Sequence, residues 1–536
     1  MRNSRCRAFC YFTLPAVLLA ACVLQPSQAV AQTNSVNVDC ASIDVASLMM
    51  QDNMRAGLIL IQCGIVQGGH PSAIGGAHSA TTPPNVRVSN GSDCSSSADV
   101  CGSESMVAAS TADKGKTVVV NYNANYDNGS SYTGTSYSSD GGVTFKEIQP
   151  APFTSGHGTN YGDPLVVFNS KTGKFFAGDL VSGADCGSQG IGFWTSTNGK
   201  TWKVGSCAHV GGADDRPSMW SDNEPSSSTY GRMFVSWNDY TTSCGAGGCL
   251  FVTYSDNGTS WSTPKELNTG TFYRNVQLTG SPRGAKLIGK SSAVFIASMD
   301  EGGGGGNTRQ NLIFRSLNGG KTWSQVIIGQ RFNPPGNVNC GYFQAVAPIW
   351  RHMGWGQPAV GPNGVVHYDY AGAGTNGDVG DIFYVQSKDN GKTWSKPIKL
   401  NTDKDNQYHT QWMPSLSATS DGNVTASWYD RRKASSTCNS AADPGCNYER
   451  VGRQSKNNGG TWNSDVTIST KIIAQPVQDD GFVQPCYAGD YDYNVALNAA
   501  DAGNSTGSAY ITWTDGRAKV GGTNVENVDF ATIAEP

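Results

Sequence analysis

Ser387-Lys388-Asp389-Asn390-Gly391-Lys392-Thr393-Trp394 decides the fold, because the chain repeats it. Forms of it stand at residues 138–145, 196–202, 255–261, 316–323 and 455–462, those at 196 and 255 one residue shorter. Six copies along one chain point to a structural repeat. The chemistry of the stretch is that of a turn. Its Asp or Asn side chain can accept from the amides that follow, and its Gly takes the positive φ that the turn needs. Such a turn joins two antiparallel strands. The aromatic that ends it is apolar and recurrent, as expected of a residue wedged between neighbouring sheets. The stretch is therefore read as making the fold, not as doing chemistry.

Each copy follows three short runs bounded by Gly, Asn and Asp that read as strands a, b and c; the repeated turn leads from c to a fourth, d. The runs are 106–110, 117–122 and 132–138 in the first unit, 285–288, 293–299 and 311–316 in the fourth, and 415–418, 424–429 and 450–455 in the sixth. One more set follows the sixth copy, at 494–498, 509–513 and 528–533, with no turn after it. Asn85-Val86-Arg87-Val88-Ser89 can supply its missing strand. The expectation is an all-β chain forming a single β-propeller of four-stranded antiparallel blades. Seven blades are expected, with six as the alternative, and strands from both termini close the ring so that no sheet edge stays open. The 66 Gly, 13 Trp and 21 Tyr, with only 15% charged residues, fit many short strands joined by tight turns.

The first residues read as a targeting segment. Arg2, Arg5 and Arg7 precede an apolar stretch at about 9–24. Two processing signals compete: Ala29-Val30-Ala31 before Gln32, giving a signal peptide of 1–31, and Leu19-Ala20-Ala21-Cys22, giving 1–21 and a lipid on Cys22. Either exports the chain, to the periplasm, the outer membrane or the medium. Residues 32–84 are expected to form an N-terminal extension with a short helix at 45–62, and 85–536 the propeller. Setting aside Cys6, Cys10 and Cys22 leaves an even cysteine set, as in an oxidising compartment. Sequence neighbours suggest Cys40–Cys63, Cys94–Cys101, Cys186–Cys207, Cys244–Cys249 and Cys438–Cys446, which leaves Cys340 for Cys486. A net charge of −4 offers no basic excess for phosphates, so nucleic acid is not an expected partner.

Function is expected opposite the repeated turns, where residues just before strand a and just after strand b meet near the channel. Those positions hold Glu104, Asp163, Asp214-Asp215-Arg216, His409 and Asp490-Tyr491-Asp492 before a, and Asp239, Asp300-Glu301, Asp430-Arg431-Arg432 and Asp515-Gly516-Arg517 after b. Trp237 and Trp428 each lie two residues before an Asp of the second group. Carboxylates can do acid–base work, arginines can hold an anion at two points, and aromatic faces suit a sugar. The expected catalytic residues are Asp215, Asp490, Tyr491, Asp239 and Asp430, with Arg216, His409, Arg432, Arg517, Trp237 and Trp428 as substrate contacts. A recurrent Asp–Arg after a strand can equally be an ion pair that pins loops. The Asp-rich loops match no EF-hand spacing, so neither metal nor other cofactor is expected.

The repeated turns resemble the Asp-box, S-x-D-x-G-x-T-W, and with this loop chemistry the chain from about Glu104 onward resembles the secreted sialidase-like (BNR, Asp-box) superfamily. That resemblance implies a glycoside hydrolase acting on extracellular glycans, exo-sialidase-like. True sialidases are six-bladed and carry an early Arg-Ile-Pro, three arginines for the substrate carboxylate, a Tyr–Glu nucleophile pair and an Asp acid/base. This chain has no Arg-Ile-Pro; its one Arg-Pro is Arg216-Pro217. Arg274, Arg351, Arg432 and Arg517 are further candidates for carboxylate contacts, and Tyr429 and Tyr240 for nucleophiles. The alternatives are a polysaccharide lyase on uronate-containing glycans, with His409 or Tyr491 as base, and a non-catalytic propeller that binds a glycan or a protein. The expected partner is an extracellular glycan or glycoconjugate, and the expected state a monomer.

Overall fold

A computed structural model describes residues 38–66, 85–89, 102–126, 131–148, 156–241, 248–347, 350–438, 444–476, 486–520 and 523–536. Among these residues, seven antiparallel sheets carry four or five strands and an eighth carries three. The first unit runs Ser103–Ala109, Val118–Tyr126, Ser131–Ser138, Lys146–Glu147, inner to outer. The inner strands of the next five units are Leu165–Asn169, Asp214–Ser221, Tyr273–Gly280, Pro358–Val360 and Gln411–Ala418. In the last sheet Val495–Leu497, Ser508–Val520 and Thr523–Ala534 are joined by Val86–Arg87 from the other end of the chain, Val86 opposite Phe530. Each inner strand touches the inner strand of the next unit, and Val495–Leu497 touches Ser103–Ala109. The four- and five-stranded sheets thus follow one another around a ring through their inner strands, with the three-stranded sheet as an insert.

The repeated turns have the chemistry their sequence suggests. In the fifth unit Asp389 Oδ1 accepts from the Thr393 amide at 2.8 Å, and the Gly391 amide donates to Ser387 Oγ at 2.8 Å. These turns bond to the a–b turns beside them, as in Asn458 N–H to Gly422 O at 2.7 Å, so both lie on one face. Their aromatics pack onto the preceding unit. Phe145 meets Phe530 edge-on at 4.9 Å, Trp261 stacks on Phe193 at 5.5 Å, and Trp462 meets Tyr384 at 5.0 Å.

Three features depart from the sequence reading. The fourth inner strand is Tyr273–Gly280, not 285–288, which lies in the connection to Val294–Asp300. The run nearest the second strand looked like its partner, but here the connection is long. The insert, Val338–Cys340, Phe343–Ala347 and Trp350–Arg351, falls between the fourth and fifth units. The single helix expected at 45–62 is two, Val45–Met50 and Met54–Gln62. The break falls at Gln51-Asp52-Asn53, where the Asn53 side chain accepts from the Ala56 amide at 2.9 Å and caps the second helix.

Disulfides Cys40–Cys63, Cys186–Cys207, Cys340–Cys486 and Cys438–Cys446 are formed as expected. Cys94–Cys101 and Cys244–Cys249 involve positions outside the described residues. Among the described residues no helix is long and apolar enough to cross a membrane.

Candidate active site

The inner strands begin in an unusual way. Glu104, Asp163, Arg216, Asn275 and Met413 open the inner strands of units one, two, three, four and six, and all have φ between 46° and 62°. Non-glycine residues rarely adopt this left-handed region, and it costs about 1–3 kcal/mol where they do. In four of these units the strand pairing shifts register at the same point, between Ser103 and Ser105, Asp215 and Ser218, Arg274 and Gln277, and Trp412 and Ser415. A bulge of this kind re-aims side chains. All five residues are buried, and the charged ones meet in one cluster opposite the repeated turns.

At its centre stand Asp215 and two arginines. Arg216 lies between two rings, its guanidinium carbon 4.1 Å from the Tyr491 centroid and 4.4 Å from Trp355. Its Nη2 donates to Tyr493 OH at 3.1 Å, and its amide donates to Asp163 Oδ2 at 2.9 Å. Tyr491 and Tyr493 stack at 4.9 Å. Arg274 is ringed by Phe272, Phe343, Tyr342 and Trp355, with centroids 5.1–5.6 Å away. Its Nε lies 3.5 Å from Glu301 Oε1. Glu301 is itself fixed by Trp355 Nε1, which donates at 2.7 Å, and by Tyr342 OH at 2.9 Å. Arg351, from the insert, holds Asp490 with two contacts, 2.8 Å and 3.2 Å. The Asp490 amide donates to Glu104 Oε1 at 2.9 Å, and Asn123 donates to Glu104 Oε2 at 2.8 Å.

One member comes from outside the ring. Asp52, between the two N-terminal helices, is 1% exposed. Its carboxylate lies 3.7 Å from Arg216 Nε and 3.6 Å from Arg274 Nη1. Oxygens of Asp52, Asp163 and Asp215 lie within 4.8 Å of one another. Crowding and burial act on their protons. Burial, then the Asp52 charge, pushes Asp215 well above the usual carboxylate range. Burial and neighbouring carboxylates do the same to Glu104 and Asp163. Burial also raises Asp490, although Arg351 opposes it. Burial works against the charge of Arg216, but Tyr493 and Asp52 outweigh it and hold the guanidinium protonated. The arrangement therefore offers carboxyl groups whose pKa values are raised, beside fixed cations, which favours proton donation next to an anionic group. Toward the other face the channel continues as a cavity of about 200 Å³, lined by Met106, Met219, Leu278, Leu416 and Tyr493 among others.

Of the residues singled out from sequence, the structure brings Glu104, Asp163, Asp215, Arg216, Arg274, Glu301, Arg351, Asp490 and Tyr491 together here. The other expected catalytic residues and substrate contacts lie elsewhere. Asp430 is bound by Arg432 at 2.5 Å and by Trp428 Nε1 at 2.9 Å, and Arg432 also holds Asp465 at 2.6 Å. Arg517 holds Asp515 and Asp529, each at 2.7 Å. Asp239 accepts from the Thr241 amide at 2.8 Å. His409 Nδ1 is 2.9 Å from Lys404 O and 3.2 Å from Asp403. Trp237 and Trp428 are fully buried. Asp52, Tyr342 and Trp355 were missed. One signal could have drawn attention to the strand starts: a residue before proline recurs there as Asp163-Pro164, Arg216-Pro217, Gln357-Pro358 and Met413-Pro414.

No family model matches the chain, and a search of curated proteins finds no match. Solved structures do resemble it. One is an α-L-arabinofuranosidase from Fusarium graminearum with an iminosugar inhibitor, at TM-score 0.42 and 13% identity, covering 84% of this chain and 98% of that one. Another is an intramolecular trans-sialidase from Ruminococcus gnavus with oseltamivir carboxylate, at TM-score 0.39 and 13% identity, covering 83% and 97%. A third is an ulvan lyase with a bound saccharide, at TM-score 0.44 and 10% identity, covering 88% and 94%. The neighbours include sialidase-like β-propeller glycosidases. The likeness does not choose between hydrolysis and elimination.

Proposed function

We propose that the chain is an exported, carbohydrate-active β-propeller, a sialidase-like glycoside hydrolase that cleaves carboxylate-bearing extracellular glycans at the Asp215–Arg216–Arg274 cluster. One observation carries this reading: carboxyl oxygens of Asp163 and Asp215 lie within 4.8 Å of each other, with Arg274 Nη1 3.9 Å from Asp215 Oδ2 and Arg216 between two aromatic faces. Paired carboxyls around a sugar's reacting carbon are the machinery of glycoside hydrolysis. In this reading Asp215, whose pKa is raised by burial and then by the Asp52 charge, gives its proton to the leaving oxygen. The second carboxyl, Asp163, once its own proton has passed to solvent, or Tyr491 faces the anomeric carbon as nucleophile. Arg216 and Arg274 hold the substrate's anionic group, and their stacking on rings fixes them before substrate arrives. Four disulfides among the described residues and the charged-then-apolar N-terminus support export.

The test is incubation of the mature chain with acidic and neutral polysaccharides and with sialosides. New reducing ends or free sialic acid, confined to acidic substrates and lost in Asp215→Asn, are the expected result. Ultraviolet absorbance from an unsaturated sugar would replace hydrolysis with elimination, for which Tyr491 beside Arg216 is the available base. Binding without turnover would leave a glycan-binding module.

A further inference from the structure

The cluster is closed by the chain's own N-terminal hairpin. Helices Val45–Met50 and Met54–Gln62 share a small core of Leu48, Ala56, Ile59 and Leu60, and the Cys40–Cys63 disulfide ties their outer ends. Their joint, Gln51-Asp52-Asn53, enters the channel mouth and is buried there. Asn53 Nδ2 donates to Asp215 Oδ1 at 2.7 Å, and the Asp52 amide is 3.3 Å from Asp215 Oδ2. The carboxyl group expected to give a proton to substrate is therefore occupied on both oxygens. Met54 joins the ring's own core beside Tyr132, Tyr161 and Tyr487. Further out, Arg55 donates to Gln189 Oε1 at 3.0 Å, and Tyr240 OH donates to Met50 O at 3.2 Å.

The grip of Asp52 on the arginines is loose. Its contacts of 3.6 and 3.7 Å are longer than the roughly 2.7–2.9 Å of a charge-assisted hydrogen bond. Among the described residues, Nε and Nη1 of Arg216 and all three nitrogens of Arg274 make no hydrogen bond, although both side chains are buried. Buried donors left in this state carry a penalty that a better-placed anion would remove.

We infer that residues 38–66 are an autoinhibitory plug: Asp52 stands where the anionic group of a glycan ligand belongs, Asn53 masks Asp215, and ligand binds as the hairpin withdraws. The inference rests on the cluster being the binding site. It separates Asp52 from the ring residues, since Asp52 competes with ligand where they hold it. The hairpin's own core and disulfide let it withdraw as a folded piece, and the arginines then bond a carboxylate at full strength.

The experiment uses the full mature chain and glucuronic acid as probe. Calorimetry gives affinities for wild type, for Asp52→Ala with Asn53→Ala, and for Arg55→Ala with Tyr240→Phe. The last pair loosens the hairpin while leaving every cluster charge in place. Hydrogen exchange of amides 45–62 is followed with and without probe. A site mostly occupied by its own plug binds with an affinity reduced by the open fraction. The expected result is about tenfold tighter binding in the first variant and a smaller gain in the second. Probe should also speed exchange across 45–62 in wild type. Equal or weaker binding in both variants, or slower exchange of the hairpin with probe bound, would overturn the plug and make Asp52 a fixed part of the site. Absence of binding in every form would overturn it as well. Turnover on the polysaccharide panel is scored separately, so a hairpin released by probe without any cleavage would count against hydrolysis and not against the plug.

Discussion

Arg351 and Asp490 form the tightest ion pair of the cluster, buried and doubly bonded at 2.8 and 3.2 Å. Asp490→Asn removes the carboxylate charge from this buried pair, so unfolding in urea should show a loss of about 3 kcal/mol. Asp369 tests burial away from the cluster. Burial lifts its pKa to about 8, although the Gln357 amide donates to it. A carboxyl raised in the folded state binds its proton more tightly there than in the unfolded chain. Its contribution is complete below the unfolded value near 4 and is lost as pH climbs toward 8. Melting temperature should therefore fall between pH 4 and pH 8, and Asp369→Asn, which cannot titrate, should flatten that fall. At this scale the sequence was only partly legible. Asp215, Arg216, Asp490 and Tyr491 could be found because they sit at strand starts in a repeating frame. Asp430–Arg432 and Asp515–Arg517 recur after the second strands of the same repeat, yet the members of each pair bond each other two positions apart. Sequence spacing does not tell a side chain turned to the channel from one turned to its own loop.

The turn at 387–394 is legible because its chemistry is local: Asp389, Ser387 and Thr393 find one another within a few residues. Burial works against the charge of the Asp389 carboxylate, but the bonds from Thr393, Ser387 and the turn amides together outweigh it and hold its pKa down at about 2. A depressed pKa of this kind supports the fold above pH 4 and is lost as pH falls toward 2. Asp389→Ala should cost about 1 kcal/mol in each case where a turn bond is not replaced by water, read as a lower denaturant midpoint with an unchanged slope. The strand Tyr273–Gly280 was not legible, because its pairing with Val294–Asp300 spans a longer connection than in neighbouring units. Arg274 therefore reads in the sequence only as a candidate carboxylate contact, without its place at a strand start. The insert that delivers Arg351 has no counterpart in the repeat. Its Cys340–Cys486 link spans 146 residues, and Cys340→Ala should lower stability by about 4–5 kcal/mol on the loop-entropy account.

Across the whole molecule, the ring depends on a junction between distant ends of the chain. Val88 N–H donates to Val528 O at 2.8 Å, and Val88→Pro removes that donor, so the melting temperature should drop as the closing strand detaches. Closure by both termini could be read from the missing fourth strand of the last unit. Occupation of the mouth by Asp52 could not, because it depends on contacts across more than 160 residues, as between Asn53 and Asp215. The central claim is that this mouth is a catalytic site for acidic glycans. It is tested most directly by the rate of reducing-end release from a uronate-containing polysaccharide, compared among wild type, Asp215→Asn and Arg274→Ala, with folding checked by melting. The account predicts a fall of about 100-fold or more in the first variant. In the second it predicts a loss confined to acidic substrates. Turnover that survives Asp215→Asn unchanged would contradict the account and place the chemistry elsewhere on the ring.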